Sequence, residues 1–485
     1  MLSGFFLLIS VLYSLPIANS CHKIITEYTN GLVTEGTKTE TMGAAEVFKS
    51  YRMKESLTQD VLDKNIEKSI FSVEKDYLLS GNIIVPANCT LEFKGGKISG
   101  DYTITGQNTC IIGNVKFSPE VRFKGTFNNI QTVNVDWFVD EYKSNVDCSG
   151  GIRSAITLAK LARTSLSFGA GVSSAAEKYY CNRGEFDVSC LVINGNGATI
   201  VGTGNYSMFI VDGDCHIQDL KIGKYPYQDG SSNKDYGNAS IICRNNHQMV
   251  FDNVIVDGFH YGFKLDAAWN VVINSCVTRR CSVGIASNGK SVNNNINNSR
   301  ITGIICGIEA DGISEGWMIS DNLIIGATGV SVKNHANTII KGNIIDLCKN
   351  YAIEIDQNSP GLLIDNNYMA VTNGGSAIIK IGGQQIKNDE DQMVSVTNNI
   401  LKGYGELSEH SGVLVTSGKY KHIKVSGNHI RAKDLKYGLY VDTGTSITTL
   451  FVRDNVVEGN VNEPAVRIKG IVTNRFVTDN VKSKL

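Results

Sequence analysis

Two pairs of carboxylates, each separated by one residue, are the part of the sequence best suited to acid–base chemistry. They are Glu309 with Asp311, and Glu354 with Asp356. On a β-strand, side chains two residues apart share a face about 6.5 to 7 Å apart, and those on every second parallel strand are about 9.5 Å apart. Inverting glycosidases use carboxyl groups about 6.5–9.5 Å apart, and neighbouring carboxylates raise each other's pKa. We therefore predict that these four residues, with Asp266 on an equivalent strand, form a catalytic face.

Four further residues near these pairs are candidates for substrate binding. Lys333 falls between the two acidic segments and could pair with a sugar acid, and His335 follows it. Trp269 and Trp317 come shortly after acidic segments and could stack on sugar rings. Each candidate also has a structural explanation that stays open. The charges could form a solvated polar sheet, the tryptophans could pack in the interior, and the histidine could lie exposed on a turn.

An internal repeat supplies the elements that position these residues. An apolar-x-x-Asn motif recurs along the chain, and Cys276 and Ser299 take the Asn slot in two copies. The Asn copies are Asn253, Asn322, Asn343, Asn367, Asn399, Asn428, Asn455 and Asn480. Asn tolerates the left-handed backbone of a sharp corner, and stacked amides can hydrogen-bond along an axis. We predict that these asparagines are structural and are not ligands.

A second column of small residues precedes short alternating strands in the same repeats. Its members are Gly262, Gly284, Gly307, Gly329, Ala352, Gly438 and Ala465. A strand-only repeat of about 22 to 25 residues is typical of a parallel β-helix. Leucine-rich repeats have a similar period, but they need Leu at fixed positions where this chain has Val, Ile and Asn. In this register Ile308 and Ala310 point inward, whereas Glu309, Asp311 and Lys333 point outward.

These repeats resemble the pectin-lyase-like superfamily of right-handed parallel β-helices over roughly residues 130 to 485. In the polygalacturonase-related group of that superfamily, a lead-in segment is followed by a capping helix, and here segment 133–138 and the amphipathic segment 151–159 resemble these two elements. Segment 139–144 lacks the Gly- and Asp-rich turn of that group. The resemblance implies an all-β, single-stranded solenoid with an N-terminal capping helix and activity on polysaccharides. Of the hydrolase motifs of that group, only Arg467-Ile468-Lys469 occurs here, and strand alternation alone explains it.

The chain is predicted to divide into four parts. Residues 1–20 read as an export signal, 21–130 as a small N-terminal β module, 131–200 as the lead-in with the capping helix, and 201–485 as the β-helix. Cys21 is a candidate for lipid modification. Residues 225–239 are expected to form a protruding loop, and the C-terminal coil edge is expected to be open, which favours association of subunits.

Composition excludes several classes of function. The 46 Lys and Arg balance 47 Asp and Glu, which argues against nucleic acid as a partner. The 12 cysteines show no Cys-x-x-Cys spacing, so a structural zinc site is not expected. Buried single thiols are the favoured interpretation, with Cys181/Cys190 and Cys276/Cys281 as the local disulfide alternatives.

The sequence thus predicts a secreted, periplasmic or surface-exposed β-helix that acts on a polysaccharide. A glycoside hydrolase is the leading hypothesis. The alternatives are a non-catalytic glycan-binding or structural β-helix of the tail-spike or adhesin type, and a polysaccharide lyase. No cofactor is expected, with Ca²⁺ entering only in the lyase alternative. The membrane enters only through a lipid on Cys21.

Overall fold

β-Strands dominate the computed structural model. It describes residues 49–52, 57–63, 68–170, 172, 174, 178–224, 238–357, 359–372, 375–383, 393–404, 411–433, 435–459 and 462–484. The helices are α1 (Gln59–Asp63), α2 (Ser149–Ala162) and a short 3-10 helix at Val135–Trp137. The predicted export signal, Cys21 and nearly all of the 225–239 loop lie outside the described residues. Within them, no helix is both long enough and apolar enough to span a membrane.

The N-terminal part forms parallel β-structure. Its strands are Lys49–Arg52, Ser69–Val73, Tyr77–Leu78, Ile83–Ile84, Thr90–Phe93, Ile98–Ser99, Thr103–Gly113 and Arg122–Asn128. In the larger sheet, Leu91 pairs with Phe71 on one side and with Ile111 on the other, in parallel register. The small N-terminal β module is therefore present, while the domain boundaries given above stay a prediction.

From Thr132 onwards the chain coils into a parallel β-helix with three sheets, which we name A, B and C. The strands of sheet A alone are Phe186–Asp187, Phe209–Val211, Thr328–Ala336, Tyr351–Asp356, Ala377–Ile381, Ser411–Val415, Tyr437–Val441 and Val466–Ile468. The strands of sheet B alone are Thr132–Asn134, Ser165–Ser167, Val192–Asn194, Cys215–Gln218, Asn295–Asn297, Met318–Ser320, Ile339–Lys341, Leu362–Asp365, Met393–Thr397, Gly418–Ser426, Thr445–Arg453 and Ile471–Thr478. The strands of sheet C alone are Tyr179–Cys181, Thr199–Gly202, Lys221–Lys224, Ile255–Asp257, Leu323–Ile325, Ile344–Cys348, Tyr368–Val371, Ile400–Gly403, His429–Arg431, Val456–Gly459 and Val481–Lys484. Four long strands bend across two sheets, namely Ala239–Asp252 and Tyr261–Asn274 (A and B), and Val277–Asn288 and Arg300–Glu315 (C and A).

Apolar side chains of all three sheets fill the interior of the coil. One continuous cluster of buried residues runs from Leu57 to Val457. Helix α2 buries Ile152, Ala155 and other residues of the predicted apolar stripe, and it packs against Arg122–Asn128 and the first strands of sheet B. The capping helix and the all-β solenoid are therefore confirmed.

The asparagine slot forms a buried ladder between sheets B and C. Asn343 Nδ2 donates to Asn367 Oδ1 at 3.0 Å, and Asn367 Nδ2 donates to Asn399 Oδ1 at 3.0 Å. The backbone N–H of Asn343 also donates to Asn367 Oδ1 at 2.9 Å. The predicted stacking of amides is confirmed. These hydrogen bonds satisfy the polar atoms of the slot asparagines inside an apolar coil. Buried polar groups need such partners.

Two details of the asparagine prediction are corrected by the backbone. The left-handed conformation belongs to the residue before the slot, as at Asn366 (φ 54°) and Asn398 (φ 55°). Asn253 has a φ of 51° and lies in that preceding position, so buried Val254 is the residue equivalent to Cys276. The motif is therefore offset by one residue in its first copy.

None of the eleven cysteines of the described residues is in a disulfide. The alternative disulfides Cys181/Cys190 and Cys276/Cys281 are therefore absent among them. Nine of these thiols are buried, Cys110 is half-buried and Cys190 is exposed. The favoured prediction, single buried thiols, is therefore confirmed for most of these cysteines. Cysteine behaves as a small apolar side chain, which suits the narrow interior of a coil.

Candidate functional site

Sheet A brings the predicted catalytic residues onto one outward face. Glu309 pairs in register with Ser331, which pairs with Glu354 on the next coil. Asp311 pairs with Lys333, which pairs with Asp356. The side chains at these acidic and basic positions are half-buried, whereas Ile308 and Ala310 beside them are fully buried. The alternation read from the sequence is therefore present in the structure.

Two of the carboxylates form ion pairs with lysines of the following coil. Lys333 Nζ lies 3.8 Å from Glu309 Oε1, and Lys380 Nζ lies 2.8 Å from Glu354 Oε1. Burial lowers the pKa of Lys380, but the hydrogen bond and the charge of Glu354 outweigh it and leave that pKa raised. Such partly exposed pairs contribute only about 0–1 kcal/mol to stability. Their effect is to hold ammonium and carboxylate groups at fixed positions on the face.

The two aspartates begin the corner that leads from sheet A towards sheet B. Asp311 Oδ1 accepts a hydrogen bond from Gly312 N at 2.7 Å, and Asp356 Oδ1 accepts one from Gln357 N at 2.8 Å. Asp266, the fifth predicted carboxylate, is half-buried in an equivalent position and pairs in register with Asn288. All five acidic residues thus lie on sheet A.

The surface roles predicted for Trp317 and His335 are corrected by their burial. Trp317 is 1 % exposed and donates from Nε1 to Ser291 O at 2.9 Å. His335 is fully buried, its ring stands edge-on to that of Trp317 with centroids 5.1 Å apart, and its Nδ1 lies 2.7 Å from Thr338 Oγ1. Burial lowers the pKa of His335 to about 4, so the ring is neutral near pH 7. Neither side chain can reach a ligand on the outside of the coil.

The burial of His335 follows from a second ladder that the sequence pattern did not reveal. Ser291 N donates to Ser314 Oγ, and His335 N donates to Ser359 Oγ at 3.1 Å on a later coil. These residues turn inward at the corner between sheets A and B. Mixed Ser and His in one column hides the repeat, whereas the Asn column between sheets B and C is nearly uniform.

Trp269 remains at the surface, but a lysine covers its ring. It is half-buried, its Nε1 donates to Lys290 O at 2.7 Å, and Lys290 Nζ lies 5.2 Å from the ring centroid. A sugar would have to displace that ammonium group before it could stack on the ring face.

Two surface features near sheet A were not evident from the sequence. Lys380 bridges Glu354 and the ring of Tyr351, whose centroid lies 5.2 Å from Nζ. A long repeat of 32 residues between Asn367 and Asn399 obscured its register. On an earlier coil, His247 faces two carboxylates, with 3.7 Å to Asp212 and 3.9 Å to Asp214.

Two surface depressions lie away from this face. One of about 290 Å³ is lined by residues between Pro119 and Cys148, next to α2. Another of about 170 Å³ lies at the first turn between sheets B and C, around Asp219 and Asn253. Neither is lined by a predicted site residue.

Residues 191–377 match the family model described as "Periplasmic copper-binding protein (NosD)". The chain matches no curated protein sequence. Solved structures similar to it include DFA-IIIase from Arthrobacter chlorophenolicus A6 without its lid, at 14% identity over 67% of this chain and 94% of that chain, with a TM-score of 0.46. The periplasmic alginate epimerase AlgG is 12% identical over 66% of this chain and 77% of that chain, with a TM-score of 0.43. The Dettilon tailspike protein gp208 is 13% identical over 70% of this chain and 68% of that chain, with a TM-score of 0.39.

The chain has the right-handed parallel β-helix fold that its repeats indicated. The family description also names copper, which binds thiolate, thioether and imidazole ligands. In the described part of the chain, no three His, Cys, Asp or Glu side chains cluster to hold a metal ion. Burial raises the pKa of Cys243 and Cys276, which opposes the thiolate form that a metal needs. The described His, Cys, Asp and Glu residues therefore do not fit a copper site.

Proposed function

We propose that this protein is an exported β-helix that binds a polysaccharide along the outward face of sheet A. The observation that carries the proposal is the pair of registered columns Glu309–Ser331–Glu354–Lys380 and Asp311–Lys333–Asp356. Export is supported by the apolar N-terminal segment and by the word periplasmic in the description of the matched family.

Polysaccharide chemistry suits these columns because sugar hydroxyl groups both donate and accept hydrogen bonds. The face offers ammonium donors at Lys333 and Lys380 and carboxylate acceptors at Glu309 and Glu354. Acidic and basic coils alternate at steps of about 4.8 Å along the axis, so each kind of group recurs after about 9.6 Å. Because the ion pairs already order the side chains, less conformational entropy is lost when a ligand binds.

The test is a binding screen of the purified protein against neutral and acidic polysaccharides by isothermal titration calorimetry. We expect Lys333→Ala to weaken binding at least about tenfold, which corresponds to about 1.4 kcal/mol. Lys341→Ala is the matched control, since this exposed lysine lies on sheet B. Binding to none of the glycans, or an equal loss in the control, would contradict the proposal.

Hydrolysis of the bound glycan is a second candidate function, and the spacing of Asp311 and Asp356 favours it. The two residues lie two coils apart, so their backbones are separated by about 9.6 Å. This is close to the upper limit for the two carboxyl groups of an inverting glycosidase. Lys333 lies between them in register, in the space that an inverting glycosidase leaves for its attacking water. Binding therefore ranks before hydrolysis.

Hydrolysis is tested by measuring release of reducing ends from each glycan that binds. Asp311→Asn and Asp356→Asn should each lower the rate at least about 100-fold while binding persists. Asp454→Asn is the control, because Asp454 is exposed at a turn between sheets B and C. Unchanged rates in both sheet A variants would exclude this pair as the catalytic residues.

A further inference from the structure

Sheet C carries an exposed and mostly apolar column, in contrast to the charged face of sheet A. Its outward residues pair in register from coil to coil. In order along the axis they are Arg300, Leu323, Ile344, Tyr368, Ile400, His429 and Val456. Ile344 is 49% exposed, Ile400 is 44% and Val456 is 41%. Contiguous apolar surface of this kind marks an interaction site more often than scattered apolar residues do.

Residues beside the column extend the apolar surface and hold it in place. Leu347 is 56% exposed and Tyr404 is 49% exposed. The hydroxyl groups of Tyr368 and Tyr404 lie 3.0 Å apart, and Lys402 Nζ lies 5.1 Å from the centroid of the Tyr368 ring. The hydrogen bond to Tyr404 raises the pKa of Tyr368 to about 12, so the Tyr368 hydroxyl group stays neutral at pH 7.

Charges on this face are arranged so that the face complements itself. Taking Tyr368 as the centre, Asp346 lies one coil towards the N-terminus and Lys402 one coil towards the C-terminus, in the neighbouring outward column. Arg300 lies three coils towards the N-terminus. Glu458 lies three coils towards the C-terminus, where His429 and Arg431 of the same chain contact it at 3.2 and 3.3 Å.

We propose that sheet C is the interface of an antiparallel homodimer whose two-fold axis runs along the strands at the level of Tyr368. This axis places Asp346 of each copy opposite Lys402 of the other, and Arg300 beside Glu458. Ile344 then packs on Ile400, and the Tyr368 rings of the two copies meet at the axis. A parallel arrangement would instead place like charges at the same height. Self-complementarity about a two-fold axis is what an isologous dimer requires.

The size of the face sets the expected strength of the dimer. From Arg300 to Val456 there are six steps of about 4.8 Å, so the column is about 29 Å long, and a four-residue strand is about 13 Å wide. The planar footprint is therefore roughly 400 Å², below the roughly 800 Å² per partner of a standard interface. We expect reversible association in the micromolar range.

Sedimentation velocity of the full chain from roughly 1 to 100 µM tests the proposal. The unmodified protein should shift from monomer to dimer over this range, and Ile344→Lys should stay monomeric with an unchanged circular dichroism spectrum. Met318→Lys is the matched control because Met318 is 44% exposed on sheet B; it should dimerise normally.

A charge exchange distinguishes this antiparallel geometry from other modes of association. Asp346→Lys should weaken the dimer at least about tenfold, and adding Lys402→Asp to it should restore most of the affinity. A protein that is monomeric throughout the range would overturn the proposal. A dimer that survives Ile344→Lys but is lost on Ile471→Lys would also overturn it. Ile471 is 72% exposed and lies on the strand Ile471–Thr478 of sheet B.

Discussion

Removing one amide from the asparagine ladder should destabilise the β-helix far more than removing an exposed amide. Asn367→Ala deletes the acceptor of Asn343 N (2.9 Å) and the donor to Ile340 O (2.9 Å), and both bonds are buried. It also deletes the amide bonds to Asn343 and Asn399. Each buried polar group left without a partner costs about 1–3 kcal/mol. For the amide of Asn343 and the carbonyl of Ile340, we expect a loss of about 4 kcal/mol in the free energy of unfolding.

The assay is chemical denaturation followed by circular dichroism, with hydrogen exchange measured by mass spectrometry. Coils of a solenoid contact mainly their neighbours, so faster exchange should be centred on the coils that contain Asn343 and Asn399. Asn474→Ala is the control because Asn474 is exposed on sheet B, and it should change stability by less than about 0.5 kcal/mol. A loss below about 1 kcal/mol for Asn367→Ala, or an equal loss in both variants, would refute the reasoning.

Three further predictions concern the interior of the protein. Burial lowers the pKa of His335 to about 4, below its value of about 6.5 in the unfolded chain. The unfolded chain therefore binds the proton first as the pH falls, and about 2 kcal/mol of the free energy of unfolding should be lost by pH 5. In denaturation measured from pH 7 to 5, His335→Gln should flatten this loss, and His422→Gln should not. Alkylation of the native protein, mapped by mass spectrometry, should label Cys190 before any buried thiol, and an equal rate at the buried thiols would contradict the described burial. Gly329→Ala should lower the free energy of unfolding by about 1–3 kcal/mol, because the new Cβ would lie 2.5 Å from Ala352 O. Gly81→Ala is the control, since a Cβ there meets no atom within 4 Å, and it should be neutral in the same denaturation assay.

Much of the fold could be predicted from the sequence because a β-helix repeats a local rule. Each coil needs apolar residues at alternate positions, a small residue before one strand and a turn-forming pair at one corner. The column of small residues illustrates such a requirement, since a Cβ on Gly307 would lie 2.7 Å from Gly329 O on the next coil. Such constraints recur with the period of the coil, so they leave a readable pattern in a single chain.

The candidate site was only partly predictable. Alternation placed Glu309, Asp311 and Lys333 on one outward face, and sheet A has them there. Alternation fails at corners, where the chain leaves the extended conformation. For that reason Trp317 and His335 were expected at the surface and lie buried.

The sequence by itself determined the inward and outward sides of each strand, because alternation depends on residues close together in the chain. It also determined the repeat and the amide ladder, because one residue type recurs at the same corner of successive coils. Tertiary structure alone decided which residues of different coils meet, since repeats of unequal length shift the register. The pairing of Glu354 with Lys380, 26 residues apart, is one example. The column from Ile344 to Ile400 on sheet C is another, because its members become neighbours only once the strands have stacked.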